Sequence, residues 1–287
     1  MALAVIPARA DKVDDAVKKG VEFLVRSQDK RTGTFSAGSN VRPAAVNSYP
    51  MTALAIMAIP AVKALKIKVN DNLIVQSGVT IRNGNDKWTV LLRSNDPANV
   101  DDNVTIDNYG TIHSNKNQTI YANGMDNLII NNYNGGTISS GKSSAIYIPS
   151  KVGIRINNYE GGTIESNTYG TIFNDDASAS GTDIYIYNEG LIRTKSTNPD
   201  GCDSGGDPYE NLLCRAAIGI TGGGGATTIV NTATGVITYT SANQSKAGIK
   251  VNDSTNATIT NYGEISGDEK DIVIVDSGNG GTTTINL

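Results

Sequence analysis

An asparagine returns in the same apolar setting through the last two-thirds of the chain. The segments 106–112 (IDNYGTI) and 259–265 (ITNYGEI) are clear copies of this pattern. Successive anchor asparagines are 25, 24, 26, 30, 43, 30 and 25 residues apart. A repeat of this length is typical of a solenoid, in which each unit stacks on its neighbours. The anchors are Asn83, Asn108, Asn132, Asn158, Asn188, Asn231, Asn261 and Asn286.

Each unit contains three short strand-like runs. In the unit that begins at Leu128 these runs are 128–133, 137–139 and 145–148, with turn residues between them. β-Branched and aromatic residues alternate with polar ones within the runs, as they do in β-strands. The repeat therefore predicts a mainly β protein, a right-handed parallel β-helix solenoid of about seven to eight three-strand coils. We place this domain at residues 69–287.

The isoleucines of the repeat predict the core. Each coil can bury its apolar face only against its neighbours, so we expect the isoleucines to point inward and to stack in three columns. The first column contains Ile106, Ile130 and Ile156, the second contains Ile112, Ile138, Ile164, Ile192, Ile237 and Ile265, and the third contains Ile120, Ile146, Ile172, Ile218, Ile249 and Ile272.

The asparagine at one corner of every coil has two interpretations. Its side-chain amide can bond the next asparagine along the stack, which would make the row structural. The row could instead form a sugar-binding face. The same alternatives apply to a row of tyrosines beside it, because aromatic rings pack on β faces and also stack on sugars. These tyrosines are Tyr109, Tyr133, Tyr159 and Tyr262.

Residues 1–68 have a different pattern, which predicts a short N-terminal α-helical segment. Apolar residues recur at helical spacing over 12–28, and the apolar run that starts at Met51 predicts a second helix over 51–66. This run is too short to cross a bilayer, so we expect no membrane span. We expect the segment to cap the first coil or to dock onto a neighbour.

One coil carries an insertion at about 195–215. The interval between its second and third strands, from Ile192 to Ile218, is 26 residues, whereas the interval is eight residues in three preceding coils. Both cysteines, Cys202 and Cys214, lie in this insertion. A disulfide between them would restrict the unfolded loop and would favour an oxidising, extracellular compartment. Two free thiols in a cytosolic loop are the alternative.

The same insertion is rich in carboxylates that are separated by glycines. Oxygen ligands at this density could hold Ca²⁺, although their spacing differs from the EF-hand pattern. A solvated acidic loop, with no cofactor, is the alternative. The acidic residues are Asp200, Asp203, Asp207 and Glu210.

The Ile-x-Asn-Tyr-Gly-x-Ile units resemble the passenger domains of bacterial autotransporters and related surface adhesins over about residues 70–287. This resemblance implies a right-handed β-helix that is exported to the cell surface. Residues 12–57 resemble one repeat of the squalene cyclase and prenyltransferase α/α toroid family, through 16–24 (AVKKGVEFL) and 52–55 (TALA). One repeat cannot enclose a catalytic cavity, so no activity carries over.

Charge and histidine content restrict the function further. The chain has 24 basic and 28 acidic residues, a net charge of −4, and no basic stripe, which excludes nucleic acid as the expected partner. The only histidine, His113, is interpreted as a turn residue after the strand at Ile112. It leaves little material for histidine-based catalysis or a histidine-ligated metal.

These features favour a non-enzymatic structural protein of the cell exterior. The repeat stops in mid-coil at Asn286 without a polar cap. An uncovered coil exposes strand edges that pair with another chain, and solenoids without caps tend to associate. We therefore expect head-to-tail self-association through the solenoid ends, which gives a filament or surface fibre if the contact does not close into a ring.

Two other functions stay open. An adhesin-type passenger would bind a glycan or a receptor through the loop 199–214, because loops on rigid scaffolds commonly carry recognition. A polysaccharide lyase or hydrolase would need carboxylates clustered on one face. The acidic pairs 101–102 and 175–176 lie about three coils apart, and Arg155 and Arg193 stand alone.

Overall fold

The computed structural model describes a chain whose regular elements are β-strands throughout the described residues. Among these residues it contains no helix long and apolar enough to cross a membrane. The described residues are 53–55, 65–67, 72–84, 88–93, 103–123, 127–149, 153–174, 183–196, 216–220, 225–241, 246–252, 256–268, 270–275 and 282–287.

The strands are short and follow one another at the repeat interval of the sequence. In chain order they are β1 (Ala53–Ala55), β2 (Leu65–Ile67), β3 (Asn72–Val75), β4 (Thr80–Asn83), β5 (Val90–Arg93), β6 (Asn103–Asn108), β7 (Thr111–Ser114), β8 (Ile120–Asn123), β9 (Asn127–Asn132), β10 (Thr137–Ser140), β11 (Ile146–Ile148), β12 (Ile154–Asn158), β13 (Thr163–Ser166), β14 (Ile172–Asn174), β15 (Ile184–Asn188), β16 (Leu191–Ser196), β17 (Ala216–Ile220), β18 (Ala226–Asn231), β19 (Val236–Ser241), β20 (Ala247–Asn252), β21 (Asn256–Asn261), β22 (Glu264–Ser266), β23 (Lys270–Val275) and β24 (Thr283–Asn286).

These strands form three parallel sheets that run along the axis of a solenoid. Sheet 1 has the order β1-β3-β6-β9-β12-β15-β18-β21-β24. Sheet 2 has the order β4-β7-β10-β13-β16-β19-β22, and sheet 3 has the order β2-β5-β8-β11-β14-β17-β20-β23. Each coil contributes one strand to each sheet, as β9, β10 and β11 do. The predicted parallel β-helix fold is therefore confirmed.

The register aligns equivalent residues of successive coils and produces the core. Ile130 pairs with Ile106 and Ile156 in sheet 1, and Ile138 pairs with Ile112 and Ile164 in sheet 2. The inward isoleucines of the interior coils are completely buried. The three predicted columns are confirmed, because period-2 alternation places one set of side chains of each strand inside the coil.

The turn between sheets 1 and 2 explains the glycines of the repeat. Gly135 and Gly161 have φ values of 78° and 77°, in the left-handed region that glycine adopts without steric cost. At Gly136 a Cβ atom would lie 2.4 Å from the carbonyl oxygen of Asn108 in the preceding coil. Backbones of neighbouring coils thus approach closely at this corner.

The helix predicted over 51–66 is wrong at the described residues. Ala53–Ala55 is strand β1, which pairs in parallel with β3, and Leu65–Ile67 is strand β2, which pairs with β5. Alanine and leucine favour helices in isolation, but pairing with an existing sheet overrides that weak preference. The helix predicted over 12–28 lies outside the described residues. Strands β1 and β2 belong to sheets 1 and 3, so the solenoid includes residues before position 69.

Ile130 and Ile129 are neighbours on β9 and allow the contribution of the core column to be measured. Ile130 is fully buried, whereas Ile129 faces outward with 36% of its surface exposed. We expect Ile130→Ala to lower the free energy of unfolding by about 2–5 kcal/mol, because it leaves a cavity between two coils. Ile129→Ala should change it by less than about 1 kcal/mol. Urea titration followed by circular dichroism measures both, and equal losses would contradict the assignment of the two faces.

Candidate functional site

A hydrogen-bonded ladder of six asparagines runs inside the solenoid, at the corner after sheet 1. The Nδ2 atom of each of the first five residues donates to the Oδ1 atom of the asparagine in the next coil, at 2.8 Å in every case. Five of the six side chains are fully buried. This geometry is structural, and it leaves the row inaccessible to a sugar. The ladder contains Asn108, Asn132, Asn158, Asn188, Asn231 and Asn261.

The second amide proton of each rung bonds the backbone of the turn. In one rung, Asn132 Nδ2 donates to the carbonyl oxygen of Gly136 at 3.1 Å and to that of Thr163 in the next coil at 3.2 Å. The ladder therefore bonds both the next asparagine and the backbone of the corner. Buried amides are tolerated only when they are bonded in this way.

Two of the eight predicted anchors lie outside the ladder. Asn83 pairs with Ser114 in sheet 2, and its Nδ2 atom donates to the carbonyl oxygen of Trp88. The residue of this coil that aligns with Asn108 is Val75. Asn286 aligns with Thr260, one position before the ladder, and its side chain bonds the Thr260 hydroxyl at 3.3 Å.

The tyrosine row beside the ladder stacks on itself. The ring centroids of Tyr109 and Tyr133 are 4.3 Å apart with the planes within 3°, and those of Tyr133 and Tyr159 are 5.0 Å apart within 12°. The ring faces are therefore occupied by neighbouring rings, and a sugar could not stack between them. Tyr262 is separate and 71% exposed, because Glu189 and Thr232 follow the ladder asparagines of the intervening coils.

A second row of amides and one carboxylate lies on the outer face of sheet 1. Asn157 donates to Asn131, and Asn131 donates to Asp107, each at 2.8 Å. The Tyr133 hydroxyl donates to the same Asp107 carboxylate at 3.4 Å. Burial first, and then the charge of Asp107, raise the pKa of Tyr133 above its ordinary value.

The outer face of sheet 2 carries a row of polar and charged side chains in register. Its histidine belongs to strand β7 and has partners in neighbouring coils, so the interpretation of His113 as a turn residue is wrong. Spacing along the sequence does not reveal this row, because its members are partners only through the register. The row contains Arg82, His113, Ser139, Glu165 and Arg193.

Glu165 and its neighbours form an ion-pair cluster in this row. Arg193 bonds the carboxylate through Nε at 2.9 Å and through its terminal nitrogen at 2.7 Å, and Lys195 bonds it at 3.0 Å. Burial raises the pKa of the Glu165 carboxyl, but the hydrogen bonds from Lys195 and Arg193 outweigh it, so the pKa lies below its ordinary value. Arg193 is thus paired, and Arg155 lies over the ring of Tyr185 at 4.3 Å.

The predicted disulfide and calcium residues lie outside the described residues, between β16 and β17. The acidic pairs 101–102 and 175–176 also lie outside them. Within the described part of the chain, no group of three or more histidine, cysteine, aspartate or glutamate residues is placed to hold a metal ion. The loop residues concerned are Cys202, Cys214, Asp200, Asp203, Asp207 and Glu210.

The core columns lose their cover at the last described coil. Ile285 on β24 is 41% exposed, whereas Ile259, its partner in the preceding coil, is completely buried. Ile274 on β23 is 39% exposed, whereas its partner Val251 is completely buried. We call the surface formed by β22, β23 and β24 the open end.

Comparison with models of protein families, with curated proteins and with solved structures finds no match. The parallel coils form the β-helix that the Ile-x-Asn-Tyr-Gly-x-Ile repeat predicts. The likeness to autotransporter passengers and the likeness to the α/α toroid family both remain resemblances.

Asn158 and Asn157 are adjacent on β12 and test the ladder. Asn158 bonds asparagines on both sides, whereas Asn157 ends the outer row as a donor to Asn131. Asn158→Ala leaves one buried donor and one buried acceptor without their partners, at a cost of about 1–3 kcal/mol for each group. We expect Asn158→Ala to lower the free energy of unfolding by at least about 2 kcal/mol and Asn157→Ala by about 1 kcal/mol or less. Equal effects in urea unfolding would mean that the ladder adds nothing beyond one hydrogen bond.

Proposed function

We propose that the protein is a non-enzymatic structural protein of the cell exterior that associates with copies of itself end to end. The observation that carries the proposal is the exposure of Ile274 and Ile285 at the open end, at 39% and 41%, where both residues continue buried columns of the core. Exposed apolar residues of this kind are candidates for contact with a partner. A second copy of the chain offers coils of the same shape and spacing.

The strand edges at the open end support this association. Strands β22, β23 and β24 are the last members of their sheets, and in the described part of the chain no strand pairs with their outer edges. Unpaired backbone groups of an edge strand are a template for another strand. A coil that added there would continue all three sheets at the interstrand spacing of about 4.8 Å.

The opposite end of the described solenoid is formed by β1 and β2, which pair with β3 and β5. All strands run parallel, so the two ends of the stack expose different edges and a contact between them is heterologous. Such a contact produces a fibre unless its rotation closes a ring.

The regular interior supports a structural role rather than a catalytic one. Each coil packs only against its neighbours, so rigidity extends along the axis with every coil that is added. The ion-pair cluster around Glu165 and the stacked tyrosines use their functional groups on one another. Placement outside the cell is supported by the two cysteines of the insertion, Cys202 and Cys214.

Ile285 and Ile129 are a matched pair for the test of self-association. Both are exposed isoleucines, at 41% and 36%, but Ile285 lies at the open end and Ile129 lies on an outer face in mid-solenoid. We expect the average mass from light scattering to rise with concentration for the unaltered protein and for Ile129→Asp. Ile285→Asp should remain at lower mass, because a carboxylate there would have to be buried.

Circular dichroism verifies that both variants keep their strand content. A protein that stays monomeric at every concentration would contradict end-to-end association. Equal association of the two variants would place the contact somewhere other than the open end.

The state of the cysteines tests placement outside the cell. We expect protein taken from the cell exterior to resist alkylation at Cys202 and Cys214 until it is reduced, because a disulfide persists in an oxidising compartment. Mass spectrometry of the alkylated protein distinguishes the two states. Alkylation of both thiols without reduction would count against this placement.

A further inference from the structure

His113 lies at the centre of a hydrogen-bond chain on the outer face of sheet 2. Its Nδ1 atom is 2.8 Å from the Ser139 hydroxyl in the next coil. Its Nε2 atom is 2.9 Å from Oδ1 of Asn115. Arg82 in the preceding coil reaches the same oxygen through Nε at 3.1 Å and through its terminal nitrogen at 2.8 Å. The chain thus connects three successive coils.

The direction of every bond in this chain follows from Arg82. A guanidinium group only donates, so the Asn115 atom that faces it must be the amide oxygen. That oxygen only accepts, so Nε2 of His113 must carry a proton. In a neutral imidazole the other nitrogen is then an acceptor, and the Ser139 hydroxyl must donate to Nδ1. A serine, a histidine base and an orienting amide are therefore arranged as in activated nucleophiles.

The charge around His113 favours the neutral ring. Burial lowers the pKa of His113 below its ordinary value of 6.5, and the positive charge of Arg82 on β4 lowers it as well. The Asn115 hydrogen bond and Glu165 on β13 act in the opposite direction, and the net effect is a lower pKa. The Glu165 carboxylate is itself bonded by Arg193 and Lys195, which weakens its influence on the ring.

We propose that Ser139 is a nucleophile that His113 activates, and that it accepts acyl groups from small activated carboxylic esters. The inference goes beyond the structural function proposed above and does not depend on it. Ser139 lies on the outer face of sheet 2, but only 8% of its surface is exposed to solvent. Because so little of its surface is exposed, we restrict the proposal to esters of short acids.

The acylation step balances without a further reactant. The Ser139 oxygen attacks the ester carbonyl carbon, and its proton passes to Nδ1 of His113. The tetrahedral adduct collapses with cleavage of the bond between the carbonyl carbon and the leaving oxygen, and the imidazolium returns the proton to that leaving group. The products are O-acylated Ser139 and the free alcohol or phenol. General-base assistance of this kind contributes about 10²–10⁴-fold to the rate.

Ser266 is a matched control within the same column of sheet 2. Its hydroxyl bonds the Thr238 hydroxyl at 3.0 Å and the Glu264 carboxylate at 3.2 Å. The chain contains one histidine, so Ser266 has no imidazole base. Selective acylation of Ser139 over Ser266 would therefore report on His113 and not on serine exposure in general.

The test uses the full chain with p-nitrophenyl acetate, followed by release of p-nitrophenolate and by peptide mass mapping. We expect acetyl groups on Ser139 and none on Ser266. His113→Gln retains a side chain that can bond both neighbours but has no base, and it should slow acetylation of Ser139 by about 10²-fold or more. Ser139→Ala should abolish the modification, with strand content unchanged by circular dichroism.

The pH dependence distinguishes a base from a merely structural partner. Acetylation of Ser139 should rise with pH across the acidic range as His113 loses its proton, and it should level off above about pH 7. Equal labelling of Ser139 and Ser266, no labelling of Ser139, or an unchanged rate in His113→Gln would each overturn the proposal. Ser139 lies on β10 in mid-solenoid, so its acetylation does not depend on end-to-end association. Ser266 lies on β22 at the open end, so its labelling is also measured in the Ile285→Asp variant.

Discussion

In-register stacking of parallel coils is the constraint on which the rest of the structure depends. It converts each position of the repeat into a column, so that every side chain must suit its own equivalents above and below. Isoleucine meets this condition through dispersion contacts. Asparagine meets it because one amide presents an acceptor to one neighbour and a donor to the other. A buried asparagine is therefore stable at this corner when asparagines lie above and below it. A single asparagine placed there among apolar residues would lack these partners.

The same constraint explains which features the sequence predicts. The isoleucine columns were predictable because their period equals the coil. Asn83 does not belong to the ladder, because the register places Val75 at that corner and pairs Asn83 with Ser114 in sheet 2. Local propensity predicts a helix over 51–66. Pairing with β3 and β5 involves residues outside this segment, so local propensity cannot predict the strands. Bonds between His113 and Ser139 join residues 26 positions apart. Such bonds are visible only when the register is known.

The two surfaces for which we propose functions use different properties of one scaffold. The open end presents the last residues of the core columns and unpaired strand edges. Its contacts would therefore use apolar side chains and backbone hydrogen-bonding groups. The outer face of sheet 2 presents side chains that do not take part in packing the coils. There the rigid spacing of the sheet holds Arg82, His113 and Ser139 in a line. Ile285 and Ser139 lie on different strands, β24 and β10, so the proposed end contact and the proposed nucleophile can be tested separately.

The asparagine ladder also gives the solenoid an electrical direction. All five amide bonds point from Asn108 toward Asn261, with each nitrogen facing the later coil. Strand dipoles largely cancel in a sheet, whereas aligned amides in a chain add and polarise one another. The axis therefore has a positive pole at Asn261 and a negative pole at Asn108. Two solenoids stacked in the same sense place opposite poles together, and two that meet by like ends place equal poles together. A row of uncharged side chains in the interior would thus favour the proposed head-to-tail contact over a contact between like ends.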